Sequence, residues 1–308
     1  MTTKDLVKFG AIDIGSNAVR LLIMSLSPEK GISSLKKELM LRVPLRLGIE
    51  SFEFGKITDT KKDQLIQLMK VYKHLLSLYE VVDYRACATA AMREAKNNNK
   101  VILDVFEETD ITIDIIDGDE EALIIYDSHF LYHLNEQSNY LFVDVGGGST
   151  EVSLISNGNL MSSNSYDIGT VRMLLDKVDQ YEYFRLHADL KEITKEYEIK
   201  EIIATGGNII KLNTLANNRN GKKLPVSAIE NIQEKLKELS VEERIDVYKL
   251  KSDRADVITN AGEIYLNIAH AVGAESFIVP KLGLIDGIIR LLYEKWKTKQ
   301  RNAPYFHT

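Results

Sequence analysis

Two short stretches place a carboxylate at the end of an apolar run and follow it at once with glycine. The first is Asp13-Ile14-Gly15-Ser16-Asn17; the second is Asp144-Val145-Gly146-Gly147-Gly148-Ser149-Thr150-Glu151. Glycine permits positive φ and close approach of backbone to a ligand, so three in a row can present several N–H groups to an anion. No Lys follows them, which excludes a Walker-type phosphate loop. What does follow, Glu151-Val152-Ser153-Leu154-Ile155, alternates like a strand and so excludes a dinucleotide-binding fingerprint. A ligand-free hairpin turn would not need three glycines between two carboxylates. Asp-x-Gly alone is a common turn, but its repetition gives it weight. Two carboxylates on facing hairpins, Asp13 and Asp144, can hold a hydrated Mg²⁺, which takes one or two carboxylates together with phosphate oxygens.

A third glycine turn follows an apolar run in Ile202-Ile203-Ala204-Thr205-Gly206-Gly207-Asn208-Ile209. Strand, turn and helix in that order aim a helix N-terminus at the turn, an anion site; a plain strand-to-helix connection would look the same. Asp117-Gly118-Asp119-Glu120-Glu121-Ala122 opens a helix with acids. On spacing alone these complement the helix dipole better than they announce a general base. Arg93, one turn into its helix after Thr89, either snorkels to solvent or clamps a phosphate oxygen with its fork. His129 and His133 have the i, i+4 spacing of a metal pair, but no Glu follows the first and no third ligand is evident, so they read as a solvated face. Cys87, in an apolar strand among alanines, reads as a small core residue, and Trp296 as packing. The charges over 191–201 and 230–244 read as solvated helix faces.

These residues need elements to hold them. Phe9–Met24 and Tyr140–Ile155 each read as strand, tight turn, strand. Aligning Asp13 with Asp144 superposes Ile12 on Val143, Ile14 on Val145 and Gly15 on Gly146. A repeat separated by almost half the chain predicts two domains that begin with the same element. Leu65, Leu68, Met69, Tyr72, Leu75, Leu76 and Tyr79 follow one helix face, with Thr60 and Asp63 as its capping pair. A strand over 84–89 runs into a helix over 90–95, and a further helix is expected from Asp119 to about Asn135. A polar break over 135–139 places the domain boundary just before or at it, giving domains of 1–130 and 131–308. Short strands over 201–204 and 276–279 continue an alternation that predicts an α/β layer architecture. No long Gly/Ser/Pro linker separates the halves, so the domains are expected to sit together around a cleft.

Composition sets the outer bounds. The 308 residues suit two domains. One cysteine excludes an internal disulfide framework and fits a reducing compartment. No signal-peptide pattern opens the chain and no window matches a membrane span, so a soluble cytoplasmic protein with no membrane partner is expected. With 39 basic against 45 acidic residues, net −6, duplex nucleic acid is disfavoured as a partner. A polyanionic substrate stays open, because local field outweighs net charge.

The glycine motifs and their order resemble the phosphate-1, phosphate-2 and adenosine motifs of the actin, sugar-kinase and heat-shock-chaperone superfamily. More narrowly, the chain resembles the exopolyphosphatase and guanosine pentaphosphate phosphohydrolase family. Arg46-Leu47-Gly48, Ala88–Ala95, Gly118–Ala122 and Leu284-Ile285-Asp286-Gly287 support this in family order, from about residue 9 to 290. The resemblance implies two ribonuclease-H-like domains of the actin-like ATPase type flanking a cleft, with the last helix crossing back onto the first. It implies a Mg²⁺-dependent hydrolase, with Mn²⁺ as substitute, that removes the terminal phosphoryl group of inorganic polyphosphate. Guanosine pentaphosphate is the alternative substrate, and a non-catalytic sensor the alternative of another class. A homodimer is the family expectation. By position, Glu121 matches the base that activates water, and Asp144 and Glu151 match acids that organise metal and water. The implied metal set is thus Asp13, Asp144 and Glu151. Arg93 matches a phosphate-binding arginine. Gly15, Ser16, Asn17, the Gly146–Ser149 turn and Thr205-Gly206-Gly207 match the phosphate and nucleotide contacts. The sequence departs from the family at Asp117, at Leu123, where an arginine would supply an anion contact, and at Asn208. It is also expected to lack the additional carboxy-terminal helical domains of longer members.

Overall fold

The computed structural model describes residues 6–127, 137–218, 223–280 and 282–302. Strands β1 (Val7–Ile14) and β2 (Val19–Leu26) form the first hairpin. Strand β3 (Lys36–Val43) adds antiparallel to β2, while β4 (Asp83–Ala88) and β5 (Ile113–Ile115) add in parallel beyond β1, giving the order β3-β2-β1-β4-β5. The second sheet comprises β6 (Asn139–Val145), β7 (Thr150–Ser156), β8 (Asn159–Tyr166), β9 (Glu201–Thr205), β10 (Leu224–Pro225) and β11 (Ser276–Ile278). Its order is β10-β11-β9-β6-β7-β8. Read from β8, it repeats the first sheet place by place: two antiparallel pairs, then two parallel ones, with β10 added at the far edge. The sequence repeat is therefore a repeat of topology. This is the two-part, actin-like α/β arrangement.

Strands β1 and β2 are buried on both faces because helices cover both. On one face Ile12, Ile14, Leu21 and Ile23 pack with Leu65, Met69 and Tyr72 of the helix Asp59–Leu78. On the other, Phe9, Ala11 and Leu22 meet Ile285, Ile288, Ile289 and Leu292 of the last helix, Leu284–Asn302. Tyr140, Phe142 and Ile203 of the second sheet join that same cluster. One apolar core thus runs through both sheets and fixes their relation. Trp296 packs edge-on against Phe9, ring centroids 6.2 Å apart, and Cys87 is free and fully buried, its thiol pushed up to about 12 chiefly by that burial.

One local expectation is corrected. The long helix is capped by Thr58, whose hydroxyl accepts the Lys61 N–H at 3.3 Å. Thr60 and Asp63 lie inside the first turns, because the chain is already helical at Asp59. The boundary between residues 130 and 131, the end of the helix begun near Asp119, and His129 and His133 lie outside the described residues. Among the described residues no helix is long and apolar enough to cross a membrane.

Candidate active site

The duplicated hairpins bring their tips together. A Cβ on Gly147 would lie 3.0 Å from the Ser16 Cβ and 3.2 Å from the Asn17 nitrogen, so the two glycine turns touch. Between the sheets lies a cavity of about 290 Å³. Asp13, Gly15, Ser16, Asn17, Glu121, Asp144, Gly146–Ser149, Gly206 and Gly207 all line it. Glu151, Arg93 and Thr205 stand behind that lining. Thr205 is buried and its hydroxyl donates to Asp144 Oδ1, while Arg93 Nη1 donates to the Ile116 carbonyl at 2.9 Å.

The glycines of the second turn serve differently from the expectation. None of Gly146, Gly147 and Gly148 has a positive φ. What they provide is room: a Cβ on Gly148 would sit 2.6 Å from the Ala90 Cβ and 2.7 Å from the Phe52 ring, so only glycine lets the turn press against the first half. Gly206, at φ +105°, does use glycine's conformational freedom. No backbone carbonyl among the described residues accepts the N–H of Gly147, Gly148 or Ser149, leaving three donors at the cavity wall.

The acids are held by specific partners. Asp13 and Arg20 face each other across the first hairpin and form an ion pair. The corresponding pair across the second hairpin is Asp144 and Glu151. The duplication thus carries a charge difference: where the first hairpin has an arginine, the second has a second carboxylate. Glu151 accepts the Ser165 hydroxyl at 2.9 Å. Glu121 rides on the helix Gly118–Asp127, and Asp117 caps that helix by accepting the Glu120 N–H at 2.8 Å. The departure at Asp117 is therefore a helix cap. Leu123 is half exposed and does not line the cavity.

Burial, followed by the charges of Glu151, Asp13 and Asp144, holds Glu121 well above the usual carboxylate range, with Arg93 opposing. Its Oε2 is buried without a hydrogen-bond partner. Burial and Asp144 push Glu151 up to about 7, against the Ser149 and Ser165 hydroxyls. Asp144 is raised by burial too, offset by Thr205 and Arg20. A stability prediction follows. Glu151 is protonated in the folded protein up to about pH 7, whereas the unfolded chain releases that proton near 4.5. Stability from this group is complete below 4.5 and is lost as pH rises through 7. Glu151→Gln should therefore exceed wild type in unfolding free energy by only about 1 kcal/mol at pH 5 and by roughly 3 kcal/mol at pH 8. An equal gap at both pH values would refute the shift.

Sequence reading missed the cationic wall. Arg20, Arg42 and Arg254 line the same cavity. Arg42 pairs with Asp253 at 2.6 Å, while Arg254 has no ion-pair partner among the described residues; burial and the Arg42 and Arg20 charges press its pKa down. Met40, Ile210, Leu282 and Ile285 supply apolar wall. Arg20 was findable: in a tight hairpin a residue seven beyond Asp13 lies opposite it. Arg42 lies 211 residues from its partner Asp253, the neighbour of Arg254, so no local signal joins the two arginines.

The acid set suits a divalent cation, since Glu121 keeps an unpartnered buried oxygen and the neighbouring acids repel one another. Of the three expected metal residues, Asp13 and Asp144 line the cavity and Glu151 does not. Among the described residues no three His, Cys, Asp or Glu gather tightly enough to hold a metal by themselves. The set therefore fits an ion held by one or two carboxylates and completed by substrate oxygens.

The sequence model of the Ppx/GppA phosphatase family matches residues 33–295. The chain belongs to that family. A bifunctional 3-dehydroquinate synthase/phosphatase of Fusobacterium nucleatum is 28% identical over 242 residues, 77% of this chain and 34% of that protein. Exopolyphosphatase 1 of Mycobacterium tuberculosis is 27% identical over 147 residues, 48% of this chain and 42% of that protein. The chain thus spans less than half the length of either relative. Among solved structures, the Aquifex aeolicus Ppx/GppA family member superposes with a TM-score of 0.74 at 26% identity, covering 97% of this chain and all of that one. In this Ppx/GppA chain the turns that touch one another are the segments that carried the resemblance.

Proposed function

We propose that this chain is a phosphoanhydride hydrolase that removes the terminal phosphoryl group of inorganic polyphosphate as orthophosphate. The observation that carries the reading is Glu121: a buried carboxylate on the cavity wall with a free oxygen, across from a turn whose N–H groups are also free. Phosphoryl transfer asks a protein mainly to neutralise and position the phosphate and to orient its attacker. The Gly147–Ser149 donors and Arg20, Arg42 and Arg254 neutralise the anion, and Gly15, Ser16 and Asn17 close the opposite side. Glu121 takes the proton of a water as that water attacks the terminal phosphorus, and the shortened chain leaves. Arg93, close enough to act on Glu121 and Glu151, favours the ionised base. Asp13 and Asp144 would hold Mg²⁺, or Mn²⁺, which supplies charge neutralisation at the phosphate oxygens. Glu151, raised by burial, shares the proton balance with Glu121.

The apolar wall of Met40, Ile210, Leu282 and Ile285 favours a second reading in which a guanine base lies against it and the 5′ γ-phosphate of guanosine pentaphosphate is removed. The test is phosphate release by the purified protein with Mg²⁺ from long polyphosphate, tripolyphosphate, guanosine pentaphosphate and ATP. Release is expected from the polyphosphates, at least tenfold faster than from ATP. Release from guanosine pentaphosphate alone would replace the first reading with the second. Release from none of them would make the cleft a sensor site.

A further inference from the structure

Arg172 has no part in the chemistry above, yet it is 93% shielded from solvent, with an exposure of 7%. It lies in the short helix Thr170–Leu174, which is pressed against the second glycine turn. The Thr170 and Val171 N–H groups donate to the Gly146 and Gly147 carbonyls at 3.1 and 2.8 Å. A Cβ on Gly169 would fall 2.3 Å from the Gly148 carbonyl carbon, so the approach is as close as backbone allows. From this helix Arg172 Nε donates to the Gly148 carbonyl at 2.9 Å. Both terminal nitrogens grip the Glu94 carboxylate, one of them at 3.1 Å, and Asp167 lies 3.5 Å away. The guanidinium carbon sits 4.3 Å from the centroid of the Phe52 ring. Gly148 and Arg172 belong to the second half of the molecule, whereas Glu94 and Phe52 belong to the first.

We propose that Arg172 is a positioning residue for the phosphate turn, holding the Gly148 carbonyl so that the Ser149 N–H faces the cleft. In a trans peptide the carbonyl and the N–H point in opposite directions. The Gly148 carbonyl points to Arg172, which does not line the cavity; the Ser149 N–H of that peptide is thereby turned toward the side that Ser149 does line. The grip on Glu94 ties this orientation to the docking of the two halves, so the donor is aligned when the cleft is closed. Arginine suits the task because one planar group reaches a carbonyl along one edge and a carboxylate along another, which a lysine cannot do. The proposal rests on the reading of the cleft as a phosphate site.

The test uses calorimetric binding of tripolyphosphate with Mg²⁺ in a Glu121→Gln parent, where turnover does not interfere. Adding Arg172→Gln should weaken binding at least tenfold, and Arg172→Lys should recover less than threefold of that loss. Arg172→Gln combined with Glu94→Gln restores the local charge balance and should remain weak. In the otherwise wild-type enzyme, Arg172→Gln should lower kcat more than it raises KM, since an aligned donor matters most as charge builds on the phosphate. Affinity within twofold of the parent, or full recovery by lysine or by the charge-balanced pair, would overturn the proposal. If Arg172→Gln does not fold, Glu94→Gln alone serves: it loosens the fork while keeping the arginine, and should weaken binding at least threefold, with an unchanged affinity overturning the claim. A parent that binds no tripolyphosphate sinks the phosphate-site reading, and this proposal with it. A parent whose binding is indifferent to Arg172 sinks this proposal alone.

Discussion

Glu121→Gln should lower kcat on polyphosphate by roughly 10³-fold, within the range a positioned general base contributes, while tripolyphosphate still binds. The substitution keeps the size of the side chain and removes only its ability to accept a proton. Because Glu121 is raised by burial and by Glu151, Asp13 and Asp144, its charge is a burden to an incoming polyanion. Neutralising it should leave binding unchanged or tighten it. That combination, lost turnover with retained affinity, separates a base from a phosphate ligand. The wild-type pH profile carries a second signature. Glu121 and Glu151 titrate together, so kcat/KM should rise with pH through the apparent values of the pair, and the acidic limb should change shape in Glu151→Gln. A Glu121→Gln enzyme within tenfold of wild-type kcat would remove Glu121 from the mechanism, and would shift attention to Asp144 and Asp286, the other cavity-lining acids raised by burial.

Much of this site was legible because it is duplicated and local. Each hairpin spends no more than twenty residues on a strand, a turn and a return strand, and the apolar pattern around Asp13 and Asp144 announces both. The Gly-Gly turn after β9 was visible for the same reason. What stayed hidden depends on pairing between distant segments. Arg42, at the end of an edge strand, and Arg254, in a short helix in the second half, reach one cavity only once the sheets are docked. The glycine turn shows the limit of reading residue type alone. Three glycines suggested unusual backbone angles, but the need is set by Ala90 and Phe52, whose nearness to Gly148 no local pattern reveals. Likewise Thr58 took the cap from Thr60 because helix entry is decided by where the extended backbone ends, and both residues offer the same hydroxyl.

Excess chelator should reduce phosphate release to background, and Mg²⁺ or Mn²⁺ should restore it. Unbalanced charge is the reason. Comparing the hairpins position by position, Arg20 answers Asp13 in the first, whereas Glu151 faces Asp144 in the second. The second half of the cleft therefore carries acid that no cross-strand cation offsets, beside Glu121, which is strained in the same sense. A polyphosphate tail adds several more negative charges to that surface. Arg20, Arg42 and Arg254 answer part of this, but Arg42 is committed to Asp253 and Arg20 to Asp13. A divalent ion, which Asp13 and Asp144 would hold together with the substrate's oxygens, would offset the remainder, and its loss should cost at least about 10²-fold in kcat/KM, by analogy with the loss of other preorganised charge at a reacting centre. A readout independent of turnover accompanies this. Cation binding to the folded protein alone raises its unfolding midpoint by mass action, so Mg²⁺ should stabilise the protein at pH 8, and less so at pH 5, where Glu151 beside Asp144 holds its proton. Asp144→Asn should abolish that stabilisation. Full activity in chelator would reject the cation outright; a Mg²⁺ shift that survives Asp144→Asn would keep the cation and move it off this carboxylate.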